Sequence, residues 1–413
     1  MDNRICGLIG RKLGHSFSPR IHKELGNPHY RLFELEPEEL AGFFRRNAIG
    51  GLNVTIPYKR DAMAFCDSLS DRAREIGSVN TIVGTDKGLY GDNTDACGFA
   101  YMAGRANIEF RGKKVLVFGS GGASLTAQYV AKQQGAREVV VISRSGENNY
   151  QNMGRHKDAQ ILVNATPVGM FPKAGVSVAD VSAFPRCEGV LDMVYNPRRT
   201  ALVLQAESLG IPCSDGLAML VAQAKAAAEL FFDQMIPDSE NERILRLIRA
   251  ETENIVLIGM PGSGKTAVGA ALSGLTGREM IDIDTKIEEA AGMTIPEIFE
   301  KQGEGAFRRM EREQTARYGA MSGKIIATGG GVVKDEGNYP LLRQNGRIYH
   351  ILRDTSLLPR EGRPLSLSAD LEAMVRERLP LYRRFRDAAV ENSGTPEETA
   401  RQIWRDFCEN TGD

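Results

Sequence analysis

This chain has few of the residues that build metal clusters or disulfide frameworks. It holds five histidines in 413 residues, and its six cysteines (Cys6, Cys66, Cys97, Cys187, Cys213 and Cys408) form neither a CxxC pair nor a metal-ligand spacing. Cysteines dispersed in this way are expected to be reduced thiols, which predicts a cytoplasmic protein. Charge of either sign is not in excess. The net charge is −1, so no global field favours nucleic acid. The densest basic run, Arg376–Arg386, is short and reads as a solvated helix face. Long hydrophobic runs are missing too: no stretch could span a bilayer, and Met1–Gly7 lacks the apolar centre of a signal peptide. Small molecules remain as the expected partners of a monomer or homodimer, with no nucleic acid and no membrane. The length allows two or three domains, and 42% apolar with 25% charged residues is ordinary globular composition.

What the chain does have is glycine in two informative places. Val115-Leu116-Val117-Phe118 leads into Gly119-Ser120-Gly121-Gly122-Ala123-Ser124, and Ile255-Val256-Leu257-Ile258 leads into Gly259-Met260-Pro261-Gly262-Ser263-Gly264-Lys265-Thr266. Each is an apolar strand followed by a glycine loop at a helix start, which is a phosphate cradle. The first spacing suits a dinucleotide and the second a nucleoside triphosphate.

Short apolar runs alternate with longer amphipathic stretches, which predicts α/β architecture. Ile236–Asn241 reads as a turn with a helix N-cap, and Glu242–Arg249 as a short helix. The polar stretch Glu251–Asn254 reads as a link before a new strand at Ile255, where the main boundary is placed. Residues before about Phe99 form a separate substrate-side lobe in this reading.

In the second half, the backbone N–H groups of Gly262, Ser263 and Gly264 are expected to cradle phosphates. Lys265 would reach the β- and γ-phosphates, and the Thr266 hydroxyl would hold Mg²⁺. Asp282 and Asp284, two apart on a strand, would point the same way, one ordering Mg²⁺ and the other accepting a hydroxyl hydrogen bond. Further on stand Gly303-Glu304-Gly305-Ala306-Phe307-Arg308, the triplet Gly329-Gly330-Gly331, Gly362-Arg363-Pro364-Leu365 and Arg378-Leu379-Pro380-Leu381-Tyr382. With these motifs residues 254–407 resemble shikimate kinase. The resemblance implies a P-loop α/β fold binding ATP, with Asp284 holding and activating shikimate hydroxyls, Asp282 near the metal, and Lys265 catalytic. It implies that Arg308 and Arg378 clamp the carboxylate, that Gly330 and Gly331 let backbone approach the ring, and that Arg363 sits on a lid closing over the phosphates. Arginine suits the clamp because its planar fork pairs a carboxylate bidentately. The lid, about 354–366, is short for the family, which would weaken adenine contacts.

In the first half, Ser124 stands where the dinucleotide fingerprint has Gly or Ala. The next strand, Val139–Ile142, ends in Ser143-Arg144-Ser145, without the acid that binds an NAD ribose, so a 2′-phosphate and NADP(H) are favoured. Gly14-His15-Ser16-Phe17-Ser18-Pro19 reads as a loop into a helix, with Ser18 as N-cap and Pro19 at N1, and two hydroxyls there make a carboxylate site. His15 and His22 read as structural. Then come Asn53–Lys59, Ser78–Thr81, Gly91–Asp95, Asn164–Met170, Asp192–Pro197 and Asp215–Gln223, and with them residues 3–248 resemble shikimate dehydrogenase.

That resemblance implies an N-terminal α/β substrate lobe plus a Rossmann-like NADP domain. Ser16 and Ser18 would bind the substrate carboxylate, Thr55, Asn80, Tyr195 and Gln223 the ring substituents or carboxylate, and Lys59 with Asp95 would be the catalytic pair. Thr166 and Gly216 join the glycine loop, Ser143 and Arg144 on the cofactor side. The lobe would cover about 1–98 and 217–250, the NADP domain about 99–216, and the kinase about 254–413 with substrate contacts within 282–315. Arg144 to Asn164 is short for the family, which normally adds a helix and a strand there. The two resemblances name one molecule, shikimate, as product of the first half and substrate of the second. Quinate as substrate of the first half, or one half acting as a silent shikimate sensor, are the competing readings.

Overall fold

The computed structural model describes residues 4–14, 16–354 and 371–411; His15, Arg363 and nearly all of the segment expected to form the lid lie outside the described residues. Contacts divide the chain into two compact units. The first is Met1–Met170, Val176–Tyr195 and Leu202–Leu245; the second is Phe171–Gly175, Asn196–Ala201 and Arg246–Asp413.

The first unit holds two sheets. One comprises β1 (Ile5–Gly10), β2 (Arg31–Glu34), β3 (Ile49–Val54), β4 (Ser68–Leu69), β5 (Thr81–Thr85) and β6 (Gly88–Asp92) in the order β2-β1-β3-β5-β6-β4. β1 pairs parallel with β2 and β3, whereas β5 runs antiparallel to both β3 and β6. Leu52, Val54 and Ile82 are buried in its core with Tyr58. The helix Asp95–Arg105 packs on Leu217–Phe232, where a Cβ on Gly98 would lie 2.5 Å from the Met219 carbonyl oxygen. Only a glycine lets these two helices approach so closely.

The other sheet is parallel throughout: β7 (Lys114–Phe118), β8 (Glu138–Ile142), β9 (Ile161–Asn164), β10 (Gly189–Asp192) and β11 (Cys213–Ser214), ordered β11-β10-β9-β7-β8. β7, β9 and β10 are buried along their whole length, as continuous apolar runs in a sheet covered on both faces require. The order reverses between β7 and β9, so a crevice opens at their carboxyl ends, where such sheets bind ligands. Between β8 and β9 the described chain has a four-residue 3₁₀ turn, Met153–His156, and β8 is left as an edge.

The second unit has a parallel sheet of β12 (Asn254–Ile258), β13 (Met280–Asp282), β14 (Ile325–Ala327), β15 (Gly346–Leu352) and β16 (Ala388–Glu391), ordered β13-β14-β12-β15-β16. β12 is central and fully buried, and its glycine loop opens the helix Lys265–Thr276. The long helix Ile295–Gly319 is broken at Gly303, whose φ of 77° no bulky residue adopts cheaply. All of the basic run but Arg386 lies on the helix Leu371–Phe385, where Met374, Arg378, Tyr382 and Phe385 are buried at helical spacing and Arg376, Arg383 and Arg384 are exposed.

Two local expectations are corrected. The stretch read as turn, short helix and polar link is one helix, Ser239–Thr252, with β12 starting at Asn254. Its ends suit a helix dipole, with Glu240 and Glu242 in the first turn and Arg249 in the last. Asp282 and Asp284 do not share a strand: β13 ends at Asp282, which accepts from the backbone N–H of Asp284 at 3.1 Å and so caps the helix that contains Asp284. Among the described residues, no helix is long and apolar enough to cross a membrane. All six cysteines are free.

Candidate active sites in the two units

In the first unit a polar cluster gathers residues from four segments. Lys59, in the turn after β3, donates to Asp95 Oδ2, and Asp95 opens a helix at its first position. Asn80 Nδ2 donates to Asp95 Oδ1 at 2.9 Å, to Thr94 Oγ1 at 3.0 Å and to Gln223 Oε1 at 3.2 Å. Asn80 Oδ1 accepts the Thr94 backbone N–H at 2.6 Å. Lys59, Asn80, Asp95 and Gln223 are therefore brought together. Thr55 lies one residue beyond β3, its backbone N–H bound to the Ile9 carbonyl at 2.9 Å.

Ser16 Oγ accepts the backbone N–H of Ser18 at 3.2 Å, and the helix runs Ser18–Glu24. Ser18 is thus the first helical residue and Ser16 supplies the side-chain acceptor, a shift of the expected cap. Tyr195 approaches the same loop, with its ring centroid 5.9 Å from that of Phe17. Burial pushes the Tyr195 phenol up, so it stays a neutral donor.

The glycine loop lies beside the lysine: a Cβ on Gly122 would sit 3.9 Å from Lys59 Cδ. Gly119 has φ of 109°, and a Cβ there would lie 2.9 Å from Thr166 Cγ2, which places Gly119 and Thr166 on opposite lips of the β7/β9 crevice. Gly121 precedes the helix Gly122–Gln133, which holds Ala123 and a fully buried Ser124; Ser120 is exposed. Ser143 and Arg144 follow β8, with the Ser143 N–H on the Asn148 carbonyl at 3.1 Å and Arg144 exposed. Gly216 donates its N–H to the Val194 carbonyl at 3.0 Å.

In the second unit a cavity of about 540 Å³ is lined by most of the remaining expected residues. Its lining includes Gly262, Gly264, Lys265 and Thr266 of the glycine loop, together with Asp282, Asp284, Arg308, Glu311, Gly329–Gly331 and Arg378. Gly262 and Gly264 have φ of 84° and 94°. Lys265 Nζ donates to the Gly259 and Met260 carbonyls at 2.8 and 3.0 Å. Thr266 Oγ1 donates to Asp282 Oδ2 at 2.8 Å. The loop suits phosphate on its own structure: the buried Ser263 Oγ has no hydrogen-bond partner among the described residues. The Thr266–Asp282 pair offers hard oxygen to a magnesium ion.

The sequence reading missed several residues here. Glu311 accepts from Arg308 Nη1 at 2.7 Å, and its other oxygen is buried with no partner among the described residues. Burial, with a smaller push from Asp284 and Asp335, raises its carboxyl to about 7 against the opposing pull of Arg308. Tyr382 donates to the Gly330 carbonyl at 2.5 Å, beside Arg378 Nη1 at 3.3 Å. Asn392 donates to the Ser263 carbonyl at 2.8 Å and braces the loop. Glu311 follows Arg308 by three residues on a helix, a spacing that could have flagged it; Asn392 gave no signal.

A doubly wound dinucleotide fold and a P-loop fold with a catalytic-type cavity define an oxidoreductase joined to a phosphotransferase. Comparison with known proteins identifies both. Residues 261–408 match the shikimate kinase family, and residues 8–82 match the shikimate dehydrogenase substrate binding domain. A shikimate dehydrogenase (NADP(+)) from Clostridium beijerinckii is 35% identical over 245 residues, covering 90% of that protein and 54% of this chain. Its counterpart from Thermococcus kodakarensis is 38% identical over 245 residues, covering 88% and 54%. Among solved structures, a chorismate mutase/shikimate 5-dehydrogenase fusion from Clostridium acetobutylicum aligns with a TM-score of 0.57 at 35% identity, over 97% of that chain and 60% of this one. Shikimate 5-dehydrogenase from Thermus thermophilus in complex with NADP(H) and shikimate gives 0.53 at 30% identity, over 97% and 58%. The chain belongs to the shikimate dehydrogenase family and carries a shikimate kinase domain after it.

Proposed function

We propose that this chain reduces 3-dehydroshikimate to shikimate with NADPH and then phosphorylates shikimate at its 3-hydroxyl with ATP. The first reaction is assigned to about residues 1–250 and the second to 254–413. One observation carries the reading: each unit sets a proton-handling group beside its own glycine loop. In one, the Lys59–Asp95 pair lies against Gly122; in the other, Asp284 shares a cavity with Lys265.

NADPH supplies the hydride, and ATP with Mg²⁺ the phosphoryl group. In the reductase, Lys59 gives a proton to the carbonyl oxygen as it becomes a hydroxyl. Asp95 fixes the direction of that ammonium, and Asn80 fixes Asp95. Ser16 and Ser18 hydroxyls take the substrate carboxylate, and Thr55, Tyr195 and Gln223 orient the ring. In the kinase, Asp284 accepts the hydrogen bond of the attacking hydroxyl. Arg308 and Arg378 pair the carboxylate, and Gly330 with Gly331 lets the backbone approach the ring. Lys265 and Thr266 position the phosphates and the metal, with Asp282 behind Thr266.

The test is a one-pot assay on the full chain with 3-dehydroshikimate, NADPH, ATP and Mg²⁺. Accumulation of 3-phosphoshikimate only when both NADPH and ATP are supplied supports the proposal; no phosphorylated product, or product without NADPH, defeats it. Repeating the NADP⁺-linked half with quinate instead of shikimate separates the two substrates, and shikimate is expected to give the higher kcat/KM.

A further inference from the structure

Resting on that functional reading, we infer that His22 and Asn53, which make no part of the catalytic pair, are positioning residues for the substrate of the first unit: they tie the segment presenting Ser16 and Ser18 to the one presenting Asn80 and Asp95. His22 follows Ser18 by four residues, one turn along the same short helix. It is completely buried, stacked on Tyr30 with centroids 3.9 Å apart and 6° between planes, and backed by Phe231 at 5.7 Å. Its Nε2 meets Asn53 Oδ1 at 3.0 Å, and the Tyr30 hydroxyl donates to the same oxygen at 2.7 Å.

From the other end of its amide, Asn53 Nδ2 donates to the Asn80 carbonyl and to Thr81 Oγ1, both at 3.3 Å. The amide can face only one way, because turning it over would set its oxygen against the Asn80 carbonyl. His22 must then donate through Nε2, which leaves Nδ1 unprotonated, and that atom is buried with no partner among the described residues. Burial holds the imidazole neutral by lowering it to about 3, against the opposing pull of Asn53.

The chain of bonds continues into the site. Thr81 Oγ1 meets Thr94 Oγ1 at 2.8 Å and Asn80 Oδ1 at 3.0 Å, and Asn80 holds Asp95. Asn53 thus uses both lone-pair directions and both hydrogens between two substrate-facing segments. A strand core needs none of this: its neighbours Leu52 and Val54 are apolar and buried, and a buried amide is costly unless fully bonded. The arrangement fixes the distance between carboxylate-binding hydroxyls and the proton donor, which is what positioning of a bound ring requires.

The test measures shikimate-dependent NADP⁺ reduction and shikimate-dependent ATP consumption on the same full-length preparations. His22→Leu removes the donor and keeps bulk. It is expected to raise KM for shikimate about tenfold with kcat within about threefold, since one lost hydrogen bond is of that size. His22→Gln, which can donate from the same place, should restore KM to within about threefold. Asn53→Leu cuts both arms and should lower kcat as well as raise KM. ATP consumption should be unchanged throughout and is the internal control from the second unit, while circular dichroism checks that each variant is folded. If His22→Leu does not fold, Tyr30→Phe decides, because it removes one donor to the same oxygen and keeps the ring stack; its KM should rise. Unchanged KM in the folded variant, or equal losses in kcat and KM that His22→Gln does not repair, would overturn the inference. Absence of NADP⁺ reduction by the unmutated chain would instead remove the functional reading, and this inference with it.

Discussion

Asn80 holds Oδ1 of Asp95 at 2.9 Å, while the other oxygen of that carboxylate receives the Lys59 ammonium. The carboxylate therefore has one orientation, and it hands that orientation to the lysine. Asp95→Asn keeps the shape but replaces an acceptor-only group with one that can offer a donor to Lys59. The expected outcome is a kcat for shikimate oxidation lower by about a hundredfold, a typical share for a positioned proton donor, with KM nearly unchanged. Steady-state kinetics with NADP⁺ check it, and the kinase rate of the same sample should not move.

Arg144 is exposed after β8, at the strand end where a dinucleotide ribose is read. Arg144→Ala is expected to raise KM for NADP⁺ about tenfold and leave any rate with NAD⁺ unaltered, since a guanidinium pairs a phosphate and not a hydroxyl. Equal losses with both cofactors would show that Arg144 does not face the 2′-phosphate.

Glu311 links pH to the kinase. Burial first, and then Asp284 and Asp335, raise its carboxyl to about 7 despite Arg308. It therefore carries a proton below that pH and a charge above it. An ionised Glu311 repels the substrate carboxylate and competes for Arg308, so KM for shikimate should rise about threefold or more between pH 6 and 8.5. Glu311→Gln should flatten the curve. The sign for folding is the same: this raised group contributes stability fully present below its unfolded value of 4.5 and lost as pH rises through 7.

His22 acts in the opposite direction. Its imidazole is lowered from 6.5 to about 3, so between those values the unfolded chain binds a proton that the folded chain refuses. Stability of the first unit is full above 6.5 and falls as pH drops toward 3. The temperature at which NADP⁺ reduction is lost should decline across that window. His22→Gln, with nothing to titrate, should show a shallower decline.

Residues that need a special backbone were legible in the sequence. Gly262 and Gly264 occupy positive φ, and Gly119 crowds Thr166, so the glycines had to be where the pattern put them. The alternating apolar runs also announced the parallel sheets, because β7, β9, β10 and β12 are buried on both faces. The Asp282–Asp284 pair was misread because a capping aspartate and a strand aspartate look alike until the turn between them is known. The helix Ser239–Thr252 was cut short because its polar end resembles a link, although polar residues suit the solvent face of a helix equally well. His22 and Asn53 stand 31 residues apart, and nothing in a single sequence couples positions that distant.

The proposed function requires two separate sites in one polypeptide acting on one compound. Paired assays of Lys59→Ala and Lys265→Ala in the full chain test it most directly. Lys59→Ala should abolish shikimate-dependent NADP⁺ reduction and leave shikimate-dependent ATP consumption intact, and Lys265→Ala should do the reverse. Loss of both activities in either variant, with the protein still folded, would contradict it.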